Sequence, residues 1–191
     1  FFADEILNFD NGYLINLVRT DNNFISCIDV YNTDKNIQYQ YDFIDQTSGS
    51  TINSFKFTID TTLGDGTPTM KLPLRDGYNY DFVVDWGDGT QDTITSFDQL
   101  ETDHTYSTGG QYQISIAGTC EAWYFNSSGD KDKLISIDNW GSVGFINMEK
   151  SFSGCSNLST VNHTDNGNWC SNVTNMSYMF DNCSSLTSID V

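Results

Sequence analysis

The chain has 191 residues, enough for one domain of usual size or two small ones. Its 26 acidic side chains outnumber 8 basic ones, for a net charge of −18; this argues against nucleic acid or an anionic membrane as the main partner, because phosphate recognition needs Lys and Arg in patches. At 38 % hydrophobic and 14 % aromatic it is too apolar to be disordered, and no run approaches the ~18 apolar residues of a membrane span.

The first residues, FFADEILNFD, lack the basic region of a signal peptide and read as a mature or trimmed start, so secretion is not legible there. Residues 13–31 then predict paired strands, YLINLV followed by NFISCIDVY after Asp21-Asn22-Asn23. Tyr39, Tyr41 and Phe43 alternate with polar neighbours, as do Phe55, Phe57 and Ile59. Tyr78, Tyr80, Phe82, Val84 and Trp86 share one parity, and Tyr112, Ile114 and Ile116 another such run. Period two over short runs, broken by Gly-Asp and Asn-Gly, predicts antiparallel strands with these side chains inward. Residues 1 to about 118 therefore read as all-β, with Trp86 and Tyr112 expected in the core.

After Gly118 the texture changes. FINMEKSFSGCSNLSTV (145–161) can be laid over VTNMSYMFDNCSSLTSI (173–189). Met148 matches Met176, Phe152 matches Phe180, Cys155 matches Cys183, Leu158 matches Leu186 and Val161 matches Ile189, at a constant offset (176 − 148 = 28). A fixed period of this length predicts a solenoid whose coils bury their apolar side only by stacking. The N-M-x-x-x-F part is expected to form a helical turn and the L-x-x-aliphatic part a short strand. Leu134, Ile137 and Trp140 look like the tail of an earlier, divergent coil. Trp140 and Trp169 precede Met148 and Met176 by similar distances, so they occupy similar places in successive coils and are candidate ligand contacts for sugar or protein, against the plainer reading of a hydrophobic edge.

The stretch VVDWGDGTQD (83–92) allows a turn, a calcium site or paired catalytic acids. An EF-hand needs acids at positions 1, 3 and 5 and Glu at 12. Asp85 and Asp88 are three apart, and position 12 is Ser96. The spacing favours a structural turn of Asp85, Gly87, Asp88 and Gly89, in which glycine supplies positive φ and aspartate accepts backbone N–H bonds. If calcium acts at all, it acts through the acidic loops of residues 60–92; no cofactor is otherwise expected. His104 and His163 lack a suggested nucleophile, base or zinc spacing, so no catalytic residue and no metal ligand is expected. The five cysteines, Cys27, Cys120, Cys155, Cys170 and Cys183, form no C-x-x-C and are expected mostly as buried thiols, with Cys155 over Cys183 in a ladder.

Two resemblances follow. Phe82-Val-Val-Asp-Trp-Gly-Asp-Gly-Thr90, then His104-Thr-Tyr106, then Gly110-Gln-Tyr-Gln-Ile-Ser-Ile116 resembles the PKD domain, which implies an immunoglobulin-like β-sandwich over residues 52–118 in which the Asp-Gly turn is structural. Residues 175–186, NMSYMFDNCSSL, and 147–158, with Ser151 in place of a Met, resemble the BspA-like leucine-rich repeats of bacterial surface proteins, over residues 119–191. Residues 1–51 form a third, β-rich segment of unknown type. The expected protein is an all-β, non-enzymatic surface protein, with the sandwich as spacer and the solenoid as binding face. Its partners would be a protein or glycan on a cell surface or virion, or further copies of itself, with no nucleic acid and no membrane insertion. A phage fibre or capsid-decoration protein, and an accessory region of a secreted hydrolase, are the alternatives. Ending on a repeat strand at Val191, without a polar cap, predicts further repeats or a subunit covering that edge.

Overall fold

The computed structural model describes the strand backbones of residues 5–8, 14–19, 25–31 and 37–42, and residues 54–162 and 169–187 with their side chains. His163, Ile189 and Val191 lie outside the described residues. The chain is all-β: two short 3-10 turns, Leu100–Thr102 and Gly129–Lys133, are the only helical elements among the described residues. Two compact units emerge, residues 1–52 and 53–191.

The first unit is a four-stranded antiparallel meander, β1 (Glu5–Asn8), β2 (Leu14–Arg19), β3 (Ile25–Tyr31) and β4 (Ile37–Asp42), with neighbours in sequence paired in space. Leu17 sits opposite Ile28, and Ile28 opposite Tyr41.

The second unit holds β5 (Phe55–Asp60), β6 (Thr69–Lys71), β7 (Tyr80–Asp85), β8 (Gln91–Ile94), β9 (Asp103–Thr105), β10 (Gln111–Cys120), β11 (Leu134–Asn139) and β12 (Thr160–Val161). A mixed six-stranded sheet runs in the order β12-β11-β5-β10-β7-β8, and β6 pairs with β9 in a second, two-stranded sheet. Only β11 and β12 are parallel. The parity in the sequence sets which face is buried. Phe55, Phe57, Ile59, Val84, Trp86, Ile114 and Ile116 are fully covered, while Asp81 and Val83 point outward. Cross-strand neighbours Phe57 and Ile114, and Val84 and Ile116, pack inward together. Tyr112 differs from the expectation. It is half-buried, because its ring lies on Tyr106 at 3.9 Å while its hydroxyl reaches out to donate to the Thr108 carbonyl.

The change of texture after residue 118 is not a gap in the structure. β10 runs through Gly118 to Cys120, and β11 pairs antiparallel with β5. One hydrophobic cluster passes from Phe55 and Phe57 through Trp123 and Trp140 to Met148, Phe152 and Cys183.

Beyond β10 the chain lays down three levels of backbone, at residues 122–127, 147–154 and 175–182, joined by parallel bridges from Ala122 to Asn147 and from Asn147 to Asn175. Phe125, Asn126 and Ser127 donate to the carbonyls of Ser151, Lys150 and Ser153. Met148, Lys150, Phe152 and Gly154 donate to Asn175, Ser177, Met179 and Asp181, at 2.7–2.9 Å, each acceptor 27 residues beyond its donor. The helical turn expected in N-M-x-x-x-F is absent from both described copies. Lys150 and Tyr178 take positive φ, 51° and 58°, which an α-helix cannot include, so the chain makes a tight turn instead. Each turn opens with an asparagine: Asn147 Oδ1 accepts from Glu149 N, and Asn175 Oδ1 from Ser177 N.

Candidate functional site

Three places gather polar or exposed aromatic chemistry. The first is the turn after β7. Asp85 Oδ1 accepts from Gly87 N at 2.9 Å, and Asp88 Oδ1 accepts from Thr90 N and Oγ1 at 3.0 and 2.6 Å. Trp86 points inward and donates its indole N–H to Asp92 at 2.9 Å. Gly87 has φ of 80°, and a Cβ there would collide with the Gln113 carbonyl oxygen. Gly89 also has positive φ, 92°, in open space. His104 lies flat on Trp86 at 4.6 Å, and its Nε2 meets Asp88 Oδ2 at 2.9 Å. Tyr106 closes the block by donating to the Trp86 carbonyl at 3.1 Å. Burial opposes the charge of Asp88, but the bonds from Thr90 and His104 outweigh it and hold the carboxyl below its ordinary value. The two aspartates thus spend their oxygens on the turn itself. Among the described residues no group of three or more His, Cys, Asp or Glu is arranged to hold a metal ion.

The second place was not legible in the sequence. Lys133 is 1 % exposed. Its ammonium donates to Asp130 Oδ1 at 2.7 Å, to Asp65 Oδ1 and the Thr69 carbonyl at 3.0 Å, and to Thr67 Oγ1 at 3.1 Å. Burial pushes the lysine towards neutrality, and the two carboxylates more than offset it, so it stays cationic. Bonds from the Thr67 amide and from Lys133 hold Asp65 down to about 2. A shallow depression of about 360 Å³ lies over this cluster, lined by Gly64, Asp65, Gly129, Asp130, Asp132 and Lys133. Its lysine is already saturated by protein partners, so the cluster reads as a clasp between two loops. A comparable clasp holds Arg75, whose guanidinium sits over the rings of Tyr78 and Tyr124 at 4.8 and 4.4 Å.

The third place is the stack of turns. Met148, Phe152, Cys155 and Leu158 are fully buried. Their counterparts one level on are less so: Cys183 is buried, Phe180 and Leu186 are half-buried, and Met176 is 42 % exposed. Met176 therefore does not sit in the repeat core as its match to Met148 predicts. Among the described residues Met148 has a level on either side of it and Met176 on one side; Met179, not anticipated, is buried instead. Trp140 is also corrected as a ligand contact. At 3 % exposure it has no surface to offer, because its faces are taken by Phe55 at 6.0 Å and Trp169 at 4.0 Å. Trp169, the outer member of that column, is half-buried. A second column stacks Phe152 on Phe180 at 5.4 Å. Both columns end in a partly exposed ring, Trp169 and Phe180, and in the same level as Phe180 the Tyr178 side chain is 66 % exposed.

The thiols of Cys120, Cys155 and Cys183 are free. Burial pushes Cys120 and Cys155 far above the ordinary thiol range and Cys183 up to about 11. None of the three is a nucleophile at neutral pH.

Comparison of the chain with protein-family models, curated proteins and solved structures returns no match.

Proposed function

We propose that this chain is a non-enzymatic, surface-exposed adhesion or recognition protein, in which a PKD-like, immunoglobulin-like sandwich serves as spacer and BspA-like repeats form a short solenoid that carries the binding face. Its place is extracellular, on a cell surface or virion, and its partner is a protein or glycan found there. The observation that carries the reading is the stack of turns. Backbone bonds at a constant offset of 27 residues hold the second level on the third, and two aromatic columns end in the partly exposed rings of Trp169 and Phe180. Surface aromatics grouped in this way suit recognition, since they supply large contact area at low entropic cost.

The test is binding of the purified, labelled chain to immobilised glycans and to bacterial cells. Trp169→Ala combined with Tyr178→Ala should reduce binding at least about tenfold, the loss of a contact energy of about 1.4 kcal/mol. Leu100→Ala, at a side chain 87 % exposed in the loop between β8 and β9, should leave it unchanged. Turnover of a glycosidase, protease or esterase substrate that disappears in His104→Ala would overturn the reading.

A further inference from the structure

Among the described residues the six-stranded sheet ends at β8, and a side chain occupies that edge. Trp86 N donates to the Thr90 carbonyl at 3.1 Å, so the hydrogen-bonded pairs of this hairpin are 86 with 90, 84 with 92 and 82 with 94. Bonded and unbonded pairs alternate in an antiparallel ladder, and the backbone groups of Gln91, Thr93 and Thr95 therefore face away from β7. Gln99 returns to meet them. Its Nε2 donates to the Thr93 carbonyl at 2.8 Å, and its Oε1 accepts from the amides of Thr95 and Ser96 at 2.7 and 3.0 Å. One carboxamide thus makes the donor and acceptor contacts that a peptide unit of a neighbouring strand would make.

We propose that Gln99 is a built-in edge stop: it fills the two backbone positions through which a second copy of the chain would join its own β8 to this one. The carboxamide is preset for this. Thr102, only 1 % exposed, donates its amide and its hydroxyl to the Gln99 carbonyl at 3.2 and 2.8 Å. Glu101 Oε2 accepts from Nε2 at 3.2 Å, which fixes the nitrogen end of the amide towards the Thr93 carbonyl.

The pattern of outward groups selects a second copy as the occupant held off. Two β8 strands laid antiparallel about Thr93 match donor to acceptor throughout. The two Thr93 residues would exchange both bonds, and the Thr95 amide would meet the Gln91 carbonyl of the other copy. Gln99 holds two of these groups, the Thr93 carbonyl and the Thr95 amide. An uncovered edge is a template for such pairing, and charge, proline or a bulge commonly blunts it. β8 presents none of these. Its register with β7 is unbroken, its outward side chains Gln91 and Thr93 are uncharged, and Asp92 turns in to the Trp86 indole. The edge stop stands apart from whatever the coils bind.

The experiment uses the full chain. Gln99→Met keeps the length of the side chain and loses both of its bonds to β8. Sedimentation velocity is followed over about a 100-fold range of concentration, in salt that screens the −18 charge of each copy. The native chain should keep one sedimentation coefficient, and Gln99→Met should shift towards a dimer, associating at least about tenfold more tightly. Thr93→Pro added to Gln99→Met should restore the native coefficient, because the Thr93 amide faces out: proline there removes no bond to β7 and blocks strand addition. A folded Gln99→Met chain that loses stability alone and sediments as the native one does would overturn the edge stop. So would an associated form that survives Thr93→Pro. Amide hydrogen exchange of the native chain tests the contact without a variant. The Thr95 amide should exchange at least about 100-fold more slowly than a free peptide, and the Thr93 amide within about tenfold of one. A fast Thr95 amide, or a Thr93 amide as slow as that of Thr95, would equally overturn it.

Discussion

Replacing Trp86 by alanine removes an indole with no exposed surface from the middle of the second unit. The side chain covers about 200 Å² of apolar area, worth about 5 kcal/mol at about 25 cal/mol/Å². Measured large-to-alanine changes in cores run to about 3–5 kcal/mol, since neighbours relax only in part. Here relaxation is restricted on both sides. His104 lies flat on the ring at 4.6 Å, and the backbone of residue 86 is pinned by Tyr106 and Thr90. Asp92 also loses the indole donor, although water can replace it there. The expected loss is therefore about 3–5 kcal/mol. All four tryptophans, Trp86, Trp123, Trp140 and Trp169, lie in residues 53–191, so fluorescence during urea denaturation reports that unit. With an m value of about 2 kcal/mol per molar, the midpoint should fall by about 2 M. Trp86→Phe, which keeps most of the area and drops the N–H, should lose roughly half as much. A Trp86→Ala chain that melts within about 0.5 kcal/mol of the native one would mean that the ring is not a core residue.

Gly87→Ala should destabilise by about 1–3 kcal/mol or more, and Gly89→Ala by less, because both have positive φ but only a Cβ at 87 meets the Gln113 carbonyl; urea midpoints of the two variants would settle the order. Lys133→Met should cost about 2–3 kcal/mol, below the usual figure for a broken buried pair because Asp65 is 60 % exposed. The same variant changes the acid limb. Asp65 is held down to about 2 from 3.8, so its contribution is complete above pH 4 and lost as pH falls from 4 to 2. Stability measured across that window should fall less steeply in Lys133→Met than in the native chain. Finally, Cys120 and Cys155 should resist iodoacetamide at pH 8 in the folded chain and react once it is unfolded in urea, read by mass spectrometry; rapid native labelling would mean that the core opens locally.

Strand parity was open to reading because burial in a sheet alternates with a period of two, and Phe55, Phe57, Ile59, Phe82 and Val84 obey it without interruption. The offset between Met148 and Met176 was equally legible, since stacked levels repeat their backbone bonds. What a match of letters does not carry is the number of neighbours. Met148 and Met176 share a position in the repeat, yet one is enclosed and the other is not. Trp140 misled in the opposite sense: its place, similar to that of Trp169 in successive coils, suggests a ligand contact, but its ring partners Phe55, Phe152 and Trp169 come from far along the chain and cover it. The Lys133 clasp depends on Asp65 and Thr69, more than sixty residues upstream. No local spacing signals such a contact, and the nearby Asp130 by itself suggests only an ordinary surface ion pair.

The pairing of β11 with β5 bears on anyone who would cut or transplant these parts. A fragment ending at residue 118 would strip β5 of one hydrogen-bonded neighbour and lift Trp123 and Trp140 from Phe55. Its newly bare edge would invite sticking between copies, the familiar fate of an uncovered strand. The coils, taken alone, would lose the sheet on which their first level is laid. The two regions that look separable on paper form a single cloth with no seam at residue 118, and a graft onto another scaffold would have to carry everything from residue 53 onward.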